Sequence, residues 1–443
     1  MTIPRDQRPA PVTLREAFWY WLKLGCVSFG GPAGQIAMMH TELVERRRWI
    51  SERRFLHALN YCMLLPGPEA TQLAVYIGWL MHRTRGGILA GVLFVLPSLL
   101  LLIVLSWIYM AYRAVPAVAG VLYGVKPAVV AIVLVAAWRI AGRVVKNAGL
   151  GAIALSAFAA SVAHLPFPLI VLGAALTGLV GGRVRPQLFQ PGRHAAARPS
   201  YGLALIDDDT ATPHHARLAW RALARVSAIG GALGLTVALA LVWLGGADGP
   251  LARMAWFFTK AAMMTFGGAY AVLPYVYQGA VETFHWLAPA QMMDGLALGE
   301  TTPGPLIMIV AFVGFVGAWH HATAGASVLL AGVAGACVAA FFTFLPSFIF
   351  ILAGGPLVEA SRDNARLDAP LTAISAAVVG VIVSLALFFG RHVFWLAAPR
   401  PHADTLAMAI GAAAAVALLR YRIGTIKVIL ACAITGLVLS YLH

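Results

Sequence analysis

Four short motifs made of glycine and proline interrupt apolar stretches of this chain. Proline lacks the backbone N–H and clashes with the preceding turn, and glycine adopts backbone angles that other residues avoid, so a helix cannot pass through them undisturbed. A helix that restarts after such a break points its N–H groups and positive dipole end at the break, which suits an anion. One motif alone would be explained as well by a kink or a close helix crossing, but four predict a binding site. They are Phe29-Gly30-Gly31-Pro32, Pro66-Gly67-Pro68, Phe266-Gly267-Gly268 and Pro303-Gly304-Pro305.

Three lysines lie within or at the edge of apolar segments, namely Lys23, Lys126 and Lys260. A cation inside a membrane is costly and indicates a functional role unless its side chain reaches the interface. The interfacial alternative applies best to Lys23, which is near the start of its segment. We expect the three lysines to contribute positive charge to an anion site.

Polar residues flank the two Pro-Gly-Pro motifs. Glu69 follows the first motif and Glu300 precedes the second. Because a buried carboxyl group can take up and release protons, we predict that these two couple transport to protons, with structural ion pairing as the alternative. Gln72, Thr301 and Thr302 add neutral hydrogen-bonding groups for substrate binding.

No catalytic or metal-binding pattern accompanies these residues. The chain contains neither a G-x-x-x-x-G-K-[ST] phosphate loop nor the H-E-x-x-H and G-x-S-x-G patterns of hydrolases. We therefore expect a protein that is not an enzyme and that uses no cofactor and no metal.

The break motifs occur in two matched sets. Phe29-Gly30-Gly31 and Pro66-Gly67-Pro68 both recur 237 residues later, and Lys23 and Lys260 have the same separation. Leu96-Pro97-Ser98 recurs as Leu345-Pro346-Ser347 after 249 residues, which one insertion explains. A duplicated membrane unit with helices interrupted at corresponding places is typical of a secondary transporter whose site lies at the breaks.

Composition indicates the fold class. The chain is 60% hydrophobic and 11% charged, whereas soluble proteins have about 25% charged residues. We predict an all-α integral membrane protein with two inverted-topology repeats, interrupted or re-entrant helices and about thirteen segments. The segments are 17–40, 55–82, 87–112, 117–141, 148–164, 166–182, 222–245, 251–278, 291–318, 323–353, 371–389, 404–420 and 423–441.

These segments divide the chain into an N-terminal repeat at 14–182, a linker with one extra segment at 183–250 and a C-terminal repeat at 251–443. The polar stretch 183–221, with its Asp207-Asp208-Asp209 run, is predicted to be flexible. Seven segments separate the starts of the repeats, and an odd number inverts the second copy.

The positions of the arginines near the first break indicate whether the first two segments cross the membrane or turn back within it. If every segment crossed the membrane, Arg46, Arg47, Arg48, Arg53 and Arg54 would lie on the side opposite to most other basic residues, against the positive-inside rule. A limb such as 17–30 would be about 21 Å long as a helix, too short for a hydrocarbon core of about 30 Å. Re-entrant segments therefore fit better than spanning ones, with the N-terminus cytoplasmic and the C-terminus outside.

The net charge of +15 does not indicate nucleic acid as a partner. The basic residues lie between apolar segments, where they set topology, rather than in one basic domain with interleaved aromatic residues.

The motifs resemble those of the chromate ion transporter family of the long-chain, two-domain type. The resemblance rests on Ser28–Pro32, Leu65–Ala74, Thr265–Gly268 and Glu300–Leu306 and extends over about residues 14–441. It implies a multi-pass carrier of the bacterial inner membrane that expels chromate, using the proton motive force, and so confers chromate resistance.

The same resemblance implies chromate as substrate, sulfate as the related oxyanion, protons as the coupling ion and the lipid bilayer as surroundings, with a homodimer as the candidate assembly. Two alternatives remain at this stage. One is a carrier for sulfate or another oxyanion, and the other is a membrane scaffold or sensor that transports nothing.

Overall fold

A computed structural model describes residues 8–29, 31–113, 115–189, 201–210, 213–216, 219–266, 269–322, 327–360, 368–396 and 402–442. Almost all of this part of the chain is helical, and a two-residue hairpin pairs β1 (Trp395–Leu396) with β2 (His402–Ala403). The first half contains α1 (Leu14–Val27), α2 (Gly31–His40, continued by a π-helical turn Thr41–Arg46), α3 (Glu52–Leu64), α4 (Glu69–Tyr112), α5 (Pro116–Val144), α6 (Ala148–Val162) and α7 (Phe167–Val184).

An additional helix, α8 (Trp220–Gly245), precedes the second half. It packs on helices of the second half, and large residues such as Trp243 and Leu244 are exposed. The second half contains α9 (Pro250–Met263), α10 (Ala269–Tyr277, continued by a π-helical turn Gln278–Thr283), α11 (Pro289–Thr301), a 3-10 turn Leu306–Met308, α12 (Ile309–His320), α13 (Val328–Ala360), α14 (Asp368–Phe394), α15 (Thr405–Leu419) and α16 (Thr425–Leu442).

Seven helices of the described residues are long and apolar enough to cross a membrane, which confirms a multi-pass, all-helical membrane protein. Three further apolar helices are shorter, so the total of thirteen segments remains a prediction. The seven long stretches are Glu69–Tyr112, Pro116–Gly142, Phe167–Val184, Trp220–Gly245, Val328–Val358, Thr372–Phe394 and Thr425–Leu442.

The helix α4 changes direction sharply in the polar stretch that contains His82 and Arg83. His82 and Arg83 have non-helical angles, with φ of −130° and 57°. This kink coincides with the boundary between the predicted segments 55–82 and 87–112. The limb of α4 before the kink is therefore about as short as α3, and each is about 20 Å long at 1.5 Å per residue.

The two halves contain the same series of elements. The π-helical turns Thr41–Arg46 and Gln278–Thr283 are separated by the same 237 residues as the break motifs, and so are α3 and α11. Even the unusual backbone recurs, because Arg48 and His285 have φ of 51° and 53°. The duplication seen in the sequence thus extends to local backbone conformation.

The prediction of a flexible linker is wrong for residues 201–210. Ile206 accepts a hydrogen bond from Ser51 N and donates one to Trp49 O, while Asp208 accepts one from Ser51 Oγ. The side chain of Arg54 donates to Thr210 O. Residues 201–210 thus pack on the segment that follows the first π-helical turn through backbone and side-chain hydrogen bonds.

Candidate functional site at the helix breaks

The two Pro-Gly-Pro breaks have the same backbone conformation. Gly67 and Gly304 have φ of 125° and 103°, a region that residues with a side chain rarely adopt. A Cβ added to Gly304 would lie 2.6 Å from Cβ of Ser98, and one added to Gly67 would overlap Oγ of Ser347. Both glycines are therefore required by conformation and by close packing.

The two halves exchange backbone hydrogen bonds at these glycines. Gly67 N donates to Thr265 O over 2.7 Å, and Gly304 N donates to Ser28 O over 2.8 Å. Ser28 and Thr265 immediately precede the Phe-Gly-Gly motifs, and they too are 237 residues apart. The exchange brings the breaks of both halves to one place in the protein interior.

Buried neutral polar groups surround this place. Gln35 donates to Gly304 O, and Gln72 Nε2 donates to Pro66 O over 2.8 Å. Five polar atoms here are buried without a hydrogen-bond partner among the described residues. They are Ser28 Oγ, Gln35 Oε1, Thr71 Oγ1, Gln72 Oε1 and Ser98 Oγ. Because buried polar groups are normally paired, such a group of atoms indicates where a polar ligand would be accommodated.

Helical turns begin directly at the breaks. The helix α4 begins at Glu69 after an extended Pro68, and a 3-10 turn begins at Leu306 after an extended Pro305. The first N–H groups of a helix have no intrahelical acceptor and carry partial positive charge. Hydroxyl groups together with these N–H groups can donate to an oxyanion without a cation in direct contact, whereas the amide oxygens of Gln35 and Gln72, unpartnered among the described residues, can only accept hydrogen bonds.

The break motifs are described in part. Phe29 and Phe266 are half-buried, Gly31 has φ of 69° and Pro32 lies in the first turn of α2. Pro66 and Pro303 lie in the two breaks beside the exchanged hydrogen bonds. The predicted site residues Gly30, Gly267 and Gly268 lie outside the described residues.

The two predicted coupling glutamates differ in their surroundings. Glu69 is buried at the first position of α4 and makes no hydrogen bond through its side chain among the described residues. Glu300 is half-buried near the end of α11 and accepts a hydrogen bond from Tyr270 over 2.6 Å. The two are not equivalent positions of the repeat, since they lie on opposite sides of their breaks.

The hydroxyl groups after Glu300 donate within their own helix end. Thr301 Oγ1 donates to Leu298 O and Thr302 Oγ1 donates to Gly299 O. Their lone pairs remain acceptors, so in this state the two threonines offer no hydrogen to an anion.

The three predicted lysines are not gathered at the breaks. Lys23 is exposed on α1, and Lys260 lies with its ammonium 5.2 Å from the ring centre of Trp256. Lys126 forms an ion pair with Asp294, at 3.3 Å between Nζ and Oδ1. Among the described residues, none of the three lysines forms a hydrogen bond or ion pair with a break motif.

Sequence reasoning missed four buried polar residues at the breaks, namely Ser28, Gln35, Ser98 and Ser347, and two buried polar residues outside the breaks, Tyr109 and Asp294. A signal existed for the serines, because Ser98 and Ser347 end a repeated Leu-Pro-Ser motif. Asp294 is a carboxylate in an apolar segment, a signal that was not used. Within the described residues, no group of three metal-ligating side chains is present.

Comparison with known proteins identifies the family of this chain. The sequence profile of the chromate transporter family matches residues 15–179 and 252–437, one stretch in each half. A chromate transport protein of Pseudomonas aeruginosa is 32% identical over 431 residues, covering 97% of this chain and 93% of that protein. A chromate transport protein of Cupriavidus metallidurans is 30% identical over 388 residues, covering 86% of this chain and 83% of that protein.

A shorter relative, an uncharacterized transporter of Bacillus subtilis, is 33% identical over 123 residues, which are 28% of this chain and 69% of that protein. No solved structure matches this chain. The profile match in both halves and the full-length relatives show that the chain belongs to the chromate transporter family.

Proposed function

We propose that this protein is a secondary active transporter that exports chromate across the bacterial inner membrane and thereby confers chromate resistance. The observation that carries the proposal is the reciprocal pairing of Gly67 with Thr265 and of Gly304 with Ser28. This pairing joins interrupted helices of both halves around buried polar atoms that lack partners in the described residues. Family membership supports chromate as the substrate.

The substrate binds between the halves at the breaks, where N–H groups of helix ends and neutral side chains replace its hydration shell. A divalent tetrahedral oxyanion has four acceptor oxygens, so it can accept from several donors at once. The residues proposed to line the site are Phe29–Pro32, Pro66–Pro68, Gln72, Phe266–Gly268 and Thr301–Pro305, with Lys23, Lys126 and Lys260 as sources of positive charge.

The halves are proposed to be inverted with respect to each other in the membrane. The parity of the predicted segments supports inversion, and the exchanged hydrogen bonds support a pseudo-two-fold axis between the halves. The short limbs α1, α2 and α3 support re-entrant paths, since each is shorter than the bilayer core of about 30 Å. The N-terminus is then cytoplasmic and the C-terminus outside.

Export is proposed to draw on the proton motive force through Glu69 and Glu300. Each carboxyl group lies next to a break, where an arriving dianion would change its affinity for a proton. Glu69 lacks a hydrogen-bonding partner among the described residues and is the first candidate.

The test is uptake of radiolabelled chromate into everted membrane vesicles, with and without a proton gradient and with competing sulfate. We expect uptake that requires the gradient and that excess sulfate reduces. Radiolabelled sulfate is measured in parallel. Uptake of sulfate without uptake of chromate would favour a sulfate carrier, and the absence of flux of both anions would favour a scaffold or sensor. The candidate homodimer is tested separately by the mass of the purified protein in detergent.

A further inference from the structure

A buried ion pair joins the two halves outside the breaks. Asp294 of α11 lies 3.3 Å from Lys126 of α5 and accepts a hydrogen bond of 2.9 Å from the hydroxyl of Tyr109 of α4. The proposed roles of Glu69 and Glu300 leave this carboxylate unexplained. A charge pair in an apolar core contributes little net stability because both groups lose their hydration.

The same contact exists in the other half in a different chemical form. His57 occupies the repeat position of Asp294, and Val358 occupies that of Tyr109. His57 Nε2 lies 2.7 Å from Val358 O. Both copies thus connect the halves through equivalent positions, but only one of them contains a carboxylate paired with a lysine.

The exposure of the pair is unequal. The side chain of Asp294 is 5% exposed, whereas that of Lys126 is 28% exposed. The side chain of Lys126 is therefore only partly covered by the protein, while the carboxylate remains screened. An anion that approaches Lys126 meets a site that Asp294 already occupies.

We propose that Asp294 is a coupling residue that competes with the transported oxyanion for Lys126. This proposal rests on the proposed transport function. In the empty carrier, the carboxylate of Asp294 forms an ion pair with the ammonium group of Lys126. When Asp294 accepts a proton, its negative charge is lost, Lys126 is released and the oxyanion takes its place.

Proton binding and anion binding then strengthen each other by the same factor. One proton accompanies each anion, so that a dianion carries one net negative charge outward. The proton itself moves against the pH gradient, so the inside-negative membrane potential is the component of the proton motive force that drives this movement. The groups that act on Asp294 are Lys126 from α5 and Tyr109 and Arg113 from α4. Among the described residues, α12, α14 and α16 give it no hydrogen bond or ion pair.

The test measures equilibrium binding of radiolabelled sulfate and chromate to the purified full-length protein from acid to mildly alkaline pH. We expect affinity to rise as pH falls, by up to about tenfold per pH unit for one linked proton. Asp294→Asn should bind tightly at every pH, because Lys126 is always free. The slope is compared between variants with the same anion, which cancels the anion's own protonation.

Asp404→Asn is the matched control, because Asp404 also accepts hydrogen bonds from a tyrosine, Tyr123, and has no ion-pair partner among the described residues. It should keep the wild-type slope. Tyr109→Phe retains the ion pair and serves if Asp294→Asn does not fold. The Tyr109→Phe protein should bind the anion tightly up to a higher pH than the wild-type protein does, because it lacks the hydroxyl that stabilises the ionised carboxylate of Asp294.

An Asp294→Asn protein that keeps the wild-type slope overturns this proposal alone, and so does a Tyr109→Phe protein with an unmoved midpoint. Wild-type protein that binds neither anion overturns the transport function together with this proposal.

Discussion

The two Pro-Gly-Pro breaks share a backbone but not their side chains. Gly67 and Gly304 have the same left-handed conformation and make reciprocal hydrogen bonds. Around them, the first break is followed by Glu69 and Gln72, whereas the second is preceded by Glu300 and bordered by threonines. The difference supports the proposal that the duplicated backbone forms the binding site and that the side chains of each half adjust charge and proton transfer separately.

The largest effect is expected at the shared backbone. Gly67→Leu or Gly304→Leu forces a side chain into a left-handed conformation that costs about 1–2 kcal/mol and into contact with Ser347 or Ser98. Either change should reduce chromate transport at least tenfold, since about 1.4 kcal/mol corresponds to a factor of ten. Transport and expression are measured together, with Gly231→Leu on α8 as control, because open space surrounds Gly231. If both break variants express and transport normally, the site lies elsewhere.

The next comparison concerns the two glutamates. Gln at position 69 or 300 keeps the shape of the side chain and removes its titration, so chromate exchange should persist while the response to a pH gradient is lost. We expect the greater loss for Glu69→Gln, because Glu300 is already stabilised by Tyr270. The measurement compares chromate counterflow with gradient-driven accumulation. Accumulation that survives both changes together would assign coupling to another residue.

Lys23 and Lys260 should affect affinity rather than coupling, whereas Lys126, as the partner of Asp294, should affect both. Lys→Ala at 23, 126 or 260 removes a charge whose hydrogen bonds to an anion are worth about 1.5–3 kcal/mol, so affinity should fall about tenfold to a hundredfold where the lysine meets the substrate. Lys→Arg should lose less because it retains the charge, although its planar group fits differently. The half-maximal chromate concentration is the readout. If all three alanine variants have the wild-type half-maximal chromate concentration, these lysines serve only as determinants of topology.

Equivalent surface positions can test inversion without altering transport. Arg46 and Thr283 end the two π-helical turns at the repeat spacing, and both are exposed. In a protein without its native cysteines, a cysteine at 46 should react from the cytoplasm and one at 283 from outside. Reaction of both from the same side contradicts the inverted repeat, and reaction at 46 from outside contradicts the re-entrant path.

The smallest effect concerns residues 201–210 and 213–216, which pack on the first half. Burial lowers the pKa of His215, and the charge of Arg83 acts in the same direction. Its neutral form is therefore favoured in the packed state, and stability present above the ordinary histidine pKa of about 6.5 is lost as pH falls through that range. The protection factors of the Leu205 and Ile206 amides, which correct for the pH dependence of intrinsic exchange, should fall as the pH is lowered. His215→Gln should remove this dependence, and an unchanged dependence would exclude His215 as its source.

The sequence predicted the breaks because glycine and proline act locally and recur at a fixed spacing. It also predicted a boundary between the segments 55–82 and 87–112, where the structure has the kink of α4, since charged residues separate two apolar stretches there. The pairing of Lys126 with Asp294 could not be predicted in this way, because it depends on how α5 and α11 pack. Exposure of Lys23 likewise depends on which face of α1 is covered, and the packing of 201–210 depends on contacts with a distant segment.

The hydrogen bonds exchanged at Gly67 and Gly304 bear on the direction of transport. A carrier assembled from two identical subunits must present the same groups to both sides of the membrane, so its two half-cycles are mirror images. Covalent fusion of the halves removes that restriction while the exchanged bonds keep the shared backbone intact. A carboxylate can then occupy position 294 while a histidine occupies position 57, and loading and release become chemically different steps. A carrier fused in this way can move its substrate faster in one direction than in the other.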